Sequence, residues 1–328
     1  MLLRSILSVL LSNKRNVTMV AKISFLFPGQ GSQSIGMLKG LASDFALIED
    51  TFSQASESLG YDLWNVVQNG EPEQLNKTDI TQPALLTAGV AIWRVWGEQG
   101  GLEPIALAGH SLGEYTALVC SGAISLADGV RLVRTRGELM QQAVSAGEGA
   151  MAAILGLEDS VIEQLCSDAA QGQIVSAANY NSPGQVVIAG QAEAVDRAGV
   201  LCKEAGAKKV IPLTVSVPSH CALMRPAAEK LEVELKALDI SKPLIPVINN
   251  VDALPESDVS AIRNALLRQM YSPVQWAKVI RQVVKMGAEA GYECGPGKVL
   301  TGLSKRIDKN LKGYSLQDSS GLRTALEN

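Results

Sequence analysis

From Lys22 onward, apolar runs of strand length alternate with amphipathic stretches of helix length, and that alternation restricts the chain to a narrow set of folds. Ile23–Phe27 reads as a buried strand closed by Pro28-Gly29. Residues 42–58 and 83–98 read as helices, the second opened by Pro83. Residues 104–108 form a second strand with a helix over 112–121 directly behind it, and Ser125 caps a further helix to about Val144. A βαβα rhythm of this kind implies a parallel sheet with helices on its faces. The pattern then changes. Strand 151–157, helix 159–169, strands 174–178 and 185–189 around the turn Asn181-Ser182-Pro183-Gly184, helix 191–205 and strand 208–214 follow in the order β-α-β-β-α-β, the split unit of a ferredoxin-like fold. The first rhythm resumes with strand 245–249, helices 258–270 and 274–286, and a strand over 288–293. The expected architecture is therefore α/β. A large discontinuous domain over 21–148 and 216–315 carries a mostly parallel sheet, and a ferredoxin-like subdomain over 149–215 is inserted in it. An N-terminal extension over 1–20 and a C-terminal tail over 316–328 complete the chain.

Composition removes several function classes. A net charge of −4 argues against a general nucleic-acid binder. Five cysteines, an odd number with no CxxC pair, fit reduced thiols in a cytoplasm-like compartment and give no zinc-ligand spacing. Apart from the first twenty residues, no stretch invites a membrane reading. The apolar run 6–11 is too short to span a bilayer. Residues 1–18 are free of acids and contain arginine and serine, so they read as an upstream mis-start before Met19 or as an organelle transit segment. Gly29-Gln30-Gly31 follows a strand, but Ser34 stands where a dinucleotide fingerprint needs glycine. Gly297-Lys298 lacks the first glycine and the Ser/Thr of a phosphate loop.

Gly109-His110-Ser111-Leu112-Gly113 is a G-x-S-x-G motif between a strand and a helix, the setting in which a sharp turn presents a serine at the end of a strand in an α/β-hydrolase-like core. Serine needs a base to be nucleophilic at neutral pH, and the chain has only two histidines. His110 adjoins Ser111 on a tight turn, where neighbouring side chains diverge, and is better suited to a buried structural hydrogen bond. His220 lies in a loop after an apolar strand, where open α/β sheets gather their sites, and is the expected base. The acids between them in the chain, Glu158, Asp159 and Asp196, fall on or beside helices of the insert, and none is marked as a third triad member.

Taken together, Phe27-Pro28-Gly29-Gln30-Gly31-Ser32-Gln33, Thr81-Gln82-Pro83-Ala84, the Ser111 motif with Glu114, Arg136-Gly137, Asn179 with Asn181-Ser182-Pro183-Gly184-Gln185, Pro218-Ser219-His220, Ser272-Pro273-Val274-Gln275-Trp276 and Gly295-Pro296-Gly297-Lys298 resemble, in order, the bacterial malonyl-CoA:acyl-carrier-protein transacylases of fatty-acid synthesis. The resemblance implies Ser111 as acyl carrier and His220 as base, its ring oriented by the backbone carbonyl of Gln275. It implies an oxyanion hole from the Gln30 and Leu112 amides, and Arg136 with Gln82 around the malonyl carboxylate. Arg136 suits that role, because a guanidinium fork pairs with a carboxylate. The resemblance also implies malonyl-CoA as substrate with no bound cofactor or metal, and an acidic acyl carrier protein as partner. Nucleic acid and membrane are not among the expected partners, and a cytoplasmic monomer is expected. Lys208-Lys209, Lys298, Lys305, Arg306 and Lys309 are candidates for a basic rim facing the carrier. Three rivals share parts of this reading: a serine hydrolase or thioesterase, a polyketide acyltransferase, and a non-catalytic carrier-docking module, which would be expected to lack Ser111 or His220.

Overall fold

The computed structural model describes residues 22–213 and 217–327, so the extension read over 1–20 and the end of the strand read at Thr214 lie outside the described residues. Among the described residues ten strands are formed: β1 Ile23–Phe27, β2 Ala106–Gly109, β3 Gly149–Leu155, β4 Val175–Ser182, β5 Gln185–Gln191, β6 Lys209–Pro212, β7 Val247–Ile248, β8 Pro255–Glu256, β9 Ala290–Glu293 and β10 Lys312–Ser315. They make two sheets. The first has the order β10-β9-β1-β2-β7-β8, parallel throughout except for the β7–β8 pair. The second has the order β4-β5-β3-β6 and is wholly antiparallel.

The first sheet is covered on both faces, as parallel sheets are. All five residues of β1 are buried, and Ser24, polar in a fully apolar neighbourhood, donates its hydroxyl to the Ala290 carbonyl at 3.1 Å. Phe25 sits in an aromatic cluster with Trp93, Trp96 and Tyr292, all edge-on at ring separations of 5.1 to 5.8 Å. The second sheet has its own small core. The Asp159–Ala170 and Ala192–Glu204 helices pack on one face through Ile162, Cys166, Val195 and Cys202. Its other face, with Met151, Ala153, Ala178 and Val187, packs with Cys221, the residue after His220. The sheets are joined by backbone: Tyr180 N–H donates to the Val274 carbonyl, and Val274 N–H to the Ala178 carbonyl, both at 2.9 Å.

Three expectations change. The helix expected from Pro83 begins at Thr78, so Pro83 lies inside it rather than at its first position. Gly137 explains the contact made there: a Cβ at 137 would come within 2.7 Å of the Thr78–Asp79 backbone, so only glycine lets the two helices approach. Residues 42–58 form two helices, Lys39–Asp44 and Leu47–Leu59. Finally, the stretch expected as a C-terminal tail over 316–328 is folded over its described residues 316–327. Ser319–Leu326 is a helix that buries Leu322 and Ala325 in the main core, with Tyr292 donating its hydroxyl to the Ala325 carbonyl at 3.2 Å.

Candidate active site

The carboxyl ends of β1, β2 and β7 lie side by side, and the turns leaving them build the site, as expected for an open α/β sheet. The turn after β2 is forced into shape by close packing. A Cβ on Gly109 would lie 1.8 Å from the Gly113 carbonyl carbon, one on Gly113 would lie 2.1 Å from the Phe27 carbonyl oxygen, and one on Gly29 would lie 2.5 Å from the His110 oxygen. Between the two glycines of the motif Ser111 is held at φ 52°, a conformation that L-residues adopt only under constraint. Asn250, just after β7, clamps the turn. Its Oδ1 accepts the Ser111 N–H at 2.7 Å and its Nδ2 donates to the Gly109 carbonyl at 2.7 Å.

Ser111 Oγ lies 2.8 Å from His220 Nε2, and His220 Nδ1 lies 2.7 Å from the backbone carbonyl of Gln269. A carbonyl only accepts, so Nδ1 carries the hydrogen and Nε2 presents its lone pair to the serine hydroxyl. Burial, reinforced by the nearby Arg136 charge and opposed by the Gln269 hydrogen bond, pushes the His220 pKa down to about 3. The ring is therefore neutral at pH 7, with unprotonated Nε2 facing the Ser111 hydroxyl. Neither Glu158, Asp159 nor Asp196 meets it.

Arg136 is 1% exposed, yet forms no ion pair among the described residues. Its Nη1 donates to Gln82 Oε1 at 2.7 Å, and its Nη2 to Gln269 Oε1 at 3.1 Å and to Ser111 Oγ at 3.3 Å. Its Nε has no partner, and the guanidinium stands over the Tyr115 ring at 5.2 Å. A buried cation held only by neutral acceptors, one of them the Ser111 hydroxyl, is a place for an anion. Ser111, His220 and Arg136 share a cavity of 110 Å³ with Gln30, Leu112, Met140, Met151, Asn179, Leu213 and Val217. Among the described residues the Gln30 and Leu112 amides meet no acceptor, so two N–H donors are left for a ligand beside Ser111.

The acyl transferase domain family matches residues 24–316. The malonyl CoA-acyl carrier protein transacylase of Escherichia coli K12 is 58% identical over 308 residues, covering 94% of this chain and 100% of that one. This chain belongs to the malonyl-CoA:acyl-carrier-protein transacylase family. A transacylase structure from Vibrio cholerae superposes with a TM-score of 0.91 at 59% identity, covering 93% of this chain and 99% of that one. A malonyl-transacylase solved in complex with a type II PKS acyl-carrier protein gives 0.93 at 56% identity, covering 94% and 100%.

Of the positions singled out by likeness to the transacylases, Ser111, His220, Arg136, Gln82, Gln30 and Leu112 converge here. Gln275 does not. Its carbonyl accepts Val279 N–H at 2.9 Å as the first turn of the Trp276–Lys285 helix, and its N–H donates to the Asn250 carbonyl at 2.8 Å. The carbonyl that orients His220 belongs to Gln269, at the end of the preceding Val259–Gln269 helix, where the last carbonyls lack helical partners. His110 has the structural role expected of it: its Nε2 meets Asn181 Oδ1 at 2.8 Å and ties the elbow to β4. Sequence reasoning did not find Asn250, Gln269 or the buried Glu114. The pair Asn249-Asn250 at the end of an apolar strand carried a signal of the same kind as the His220 loop. Gln269 meets His220 through its backbone oxygen, and that contact carried none.

Proposed function

We propose that the chain transfers the malonyl group of malonyl-CoA to the phosphopantetheine thiol of acyl carrier protein through an ester on Ser111, supplying the extender for fatty-acid synthesis. The observation that carries the reading is Arg136, buried without a carboxylate partner and donating to the nucleophile itself. It marks an acyl group that ends in a negative charge, which a plain serine hydrolase does not require.

His220 Nε2 takes the Ser111 proton as Oγ attacks the thioester carbon. The oxyanion collects between the Gln30 and Leu112 amides, at the start of the Leu112–Cys120 helix where the dipole favours it. The C–S bond breaks, and the CoA sulfur leaves with the proton from His220. The malonyl carboxylate rests on Arg136, with Gln82 fixing the guanidinium plane. The carrier's thiol then repeats the steps in reverse, with His220 again taking the proton, so ping-pong kinetics follow. The described residues 149–213 act as an inserted unit that roofs the cavity through Met151, Asn179 and Leu213. No metal is required by this route, and the five free cysteines accord with a cytoplasmic setting.

Incubation with malonyl-CoA followed by peptide mass spectrometry should place one malonyl group on the Ser111 peptide. An unmodified Ser111, or full transfer by Ser111→Ala, sinks the mechanism. Arg136→Ala should lose malonyl transfer roughly 10²-fold while acetyl transfer falls far less; equal losses would remove Arg136 from the carboxylate site. The relative solved in complex with a type II PKS carrier supports a second reading, in which a polyketide carrier is the acceptor. Competition between the two carriers for one malonyl-enzyme separates them.

A further inference from the structure

Glu114 is 3% exposed, three residues beyond the nucleophile, and the acyl-transfer steps above do not use it. Its Oε2 accepts Asn250 N–H at 2.9 Å and Gln269 Nε2 at 2.8 Å. Those two residues between them contact Ser111, His220 and Arg136. Asn250 grips the Ser111 amide, and Gln269 Nε2 donates to the Ser111 carbonyl at 3.0 Å. Gln269 Oε1 accepts from Arg136, and its backbone carbonyl orients His220. A buried carboxylate is costly, and burial pushes Glu114 up to about 7. A neutral acceptor would hold Asn250 and Gln269 without that cost, so the charge itself calls for a reason.

The reason lies in the Gln269 amide, which sits between a cation and an anion. With its oxygen toward Arg136 and its nitrogen toward Glu114, both ends are matched. Flipped, both ends would oppose like groups.

We propose that Glu114 is a positioning residue for acyl transfer: its negative charge fixes the orientation of Gln269, and through it the His220 ring, and it tempers Arg136 across one amide. The proposal rests on the assignment of Ser111, His220 and Arg136 above.

The test uses the full-length enzyme, with malonyl-CoA and acetyl-CoA as donors and Ser111 acylation as the readout. Glu114→Gln keeps an acceptor oxygen and removes the charge, so it stays folded. Its kcat should fall about 10-fold for both donors. Its KM should fall several-fold for malonyl-CoA alone, because Arg136 is no longer tempered. Glu114→Ala removes the acceptor as well, and its kcat should fall about 10²-fold, so Gln partly rescues it. If the Ala variant does not fold, the Gln variant decides alone. Wild-type kcat for both donors in a folded Glu114→Gln overturns the positioning role, and an unchanged malonyl-CoA KM overturns the tempering. Failure of wild-type enzyme to acylate Ser111 would instead condemn the underlying assignment.

Discussion

Both side chains that touch Ser111 Oγ, His220 and Arg136, come from outside the four-stranded sheet, as do Gln82, Gln269, Asn250 and Glu114 behind them. The four-stranded sheet contributes Met151 and Asn179 to the cavity wall, and Asn181 as a tether to His110. The difference extends to the backbone. Around Ser111 three glycines are packed so tightly that a methyl group would enter a neighbour's backbone. In the small sheet's Ala192–Glu204 helix, a Cβ on Gly199 would meet only a Val210 methyl, at 3.2 Å. The small sheet has its own tight place, where a Cβ on Gly190 would lie 2.0 Å from the Ile174 carbonyl oxygen, but that glycine serves the β4–β5 pairing away from the cavity wall, whereas all three near Ser111 shape the turn that carries it.

Matched glycine substitutions press on that contrast hardest. Gly113→Ala should cost more than about 3 kcal/mol and yield little folded enzyme. Gly199→Ala should stay within about 1 kcal/mol of wild type, as read by thermal melting; similar losses in both would erase the distinction.

The next effect is on pH. Glu114 takes up a proton as the pH falls through about 7, while His220 stays neutral until about 3. The charged and titrating groups around Glu114 are Arg136 and Asp252, with Arg268 and Tyr115 close by. Wild-type Ser111 acylation should therefore drop about 10-fold from pH 8 to 5, and Glu114→Gln, already slow, should stay flat. An acid limb that persists in Glu114→Gln would assign the ionisation to His220.

Asn181→Ala cuts the tether and leaves His110 Nε2 buried without a partner, a cost of about 1–3 kcal/mol in stability. Because the tether ties roof to elbow, acylation should slow by several-fold; an unchanged rate would make the roof independent of the elbow. The smallest effect concerns the partner. Arg306 Nη1 donates to Gln185 Oε1 at 2.7 Å, Gln185 pairs with Leu155, and Leu155 with Lys209, which brings two of the basic groups noted in the sequence to one end of the small sheet. Reversing charge at Lys208 and Lys209 should raise the KM for an acidic carrier a few-fold and leave malonyl-enzyme formation untouched. Equal effects on both half-reactions would move the carrier elsewhere.

Pro255–Glu256 and Lys312–Ser315, exposed or half-buried throughout, went unread for want of an apolar pattern, but the other eight described strands and the insert were legible because period and turn chemistry are written in side chains. So were Ser111 and His220, through a motif and the scarcity of histidine. The Arg225–Ala237 helix was also written, as an apolar stripe at Ala227, Ala228, Leu231 and Leu235, but went unread. Gln269 was different in kind. Orientation of His220 by a main-chain oxygen leaves no mark on residue identity, and the neighbouring glutamine, Gln275, was as good a candidate until the helix that ends at Gln269 had been placed.

That carbonyl has a consequence for how the enzyme tolerates change. A side-chain acid behind a histidine can be deleted by one codon, but a peptide oxygen survives every substitution at its own position. Alanine scanning would score Gln269 only for its amide and pass over its second contribution. Chemical synthesis can reach it: replacing the 269–270 peptide bond by an ester turns the Gln269 oxygen into a weaker acceptor while sparing every side chain, and would weigh a contact to His220 that genetics cannot address.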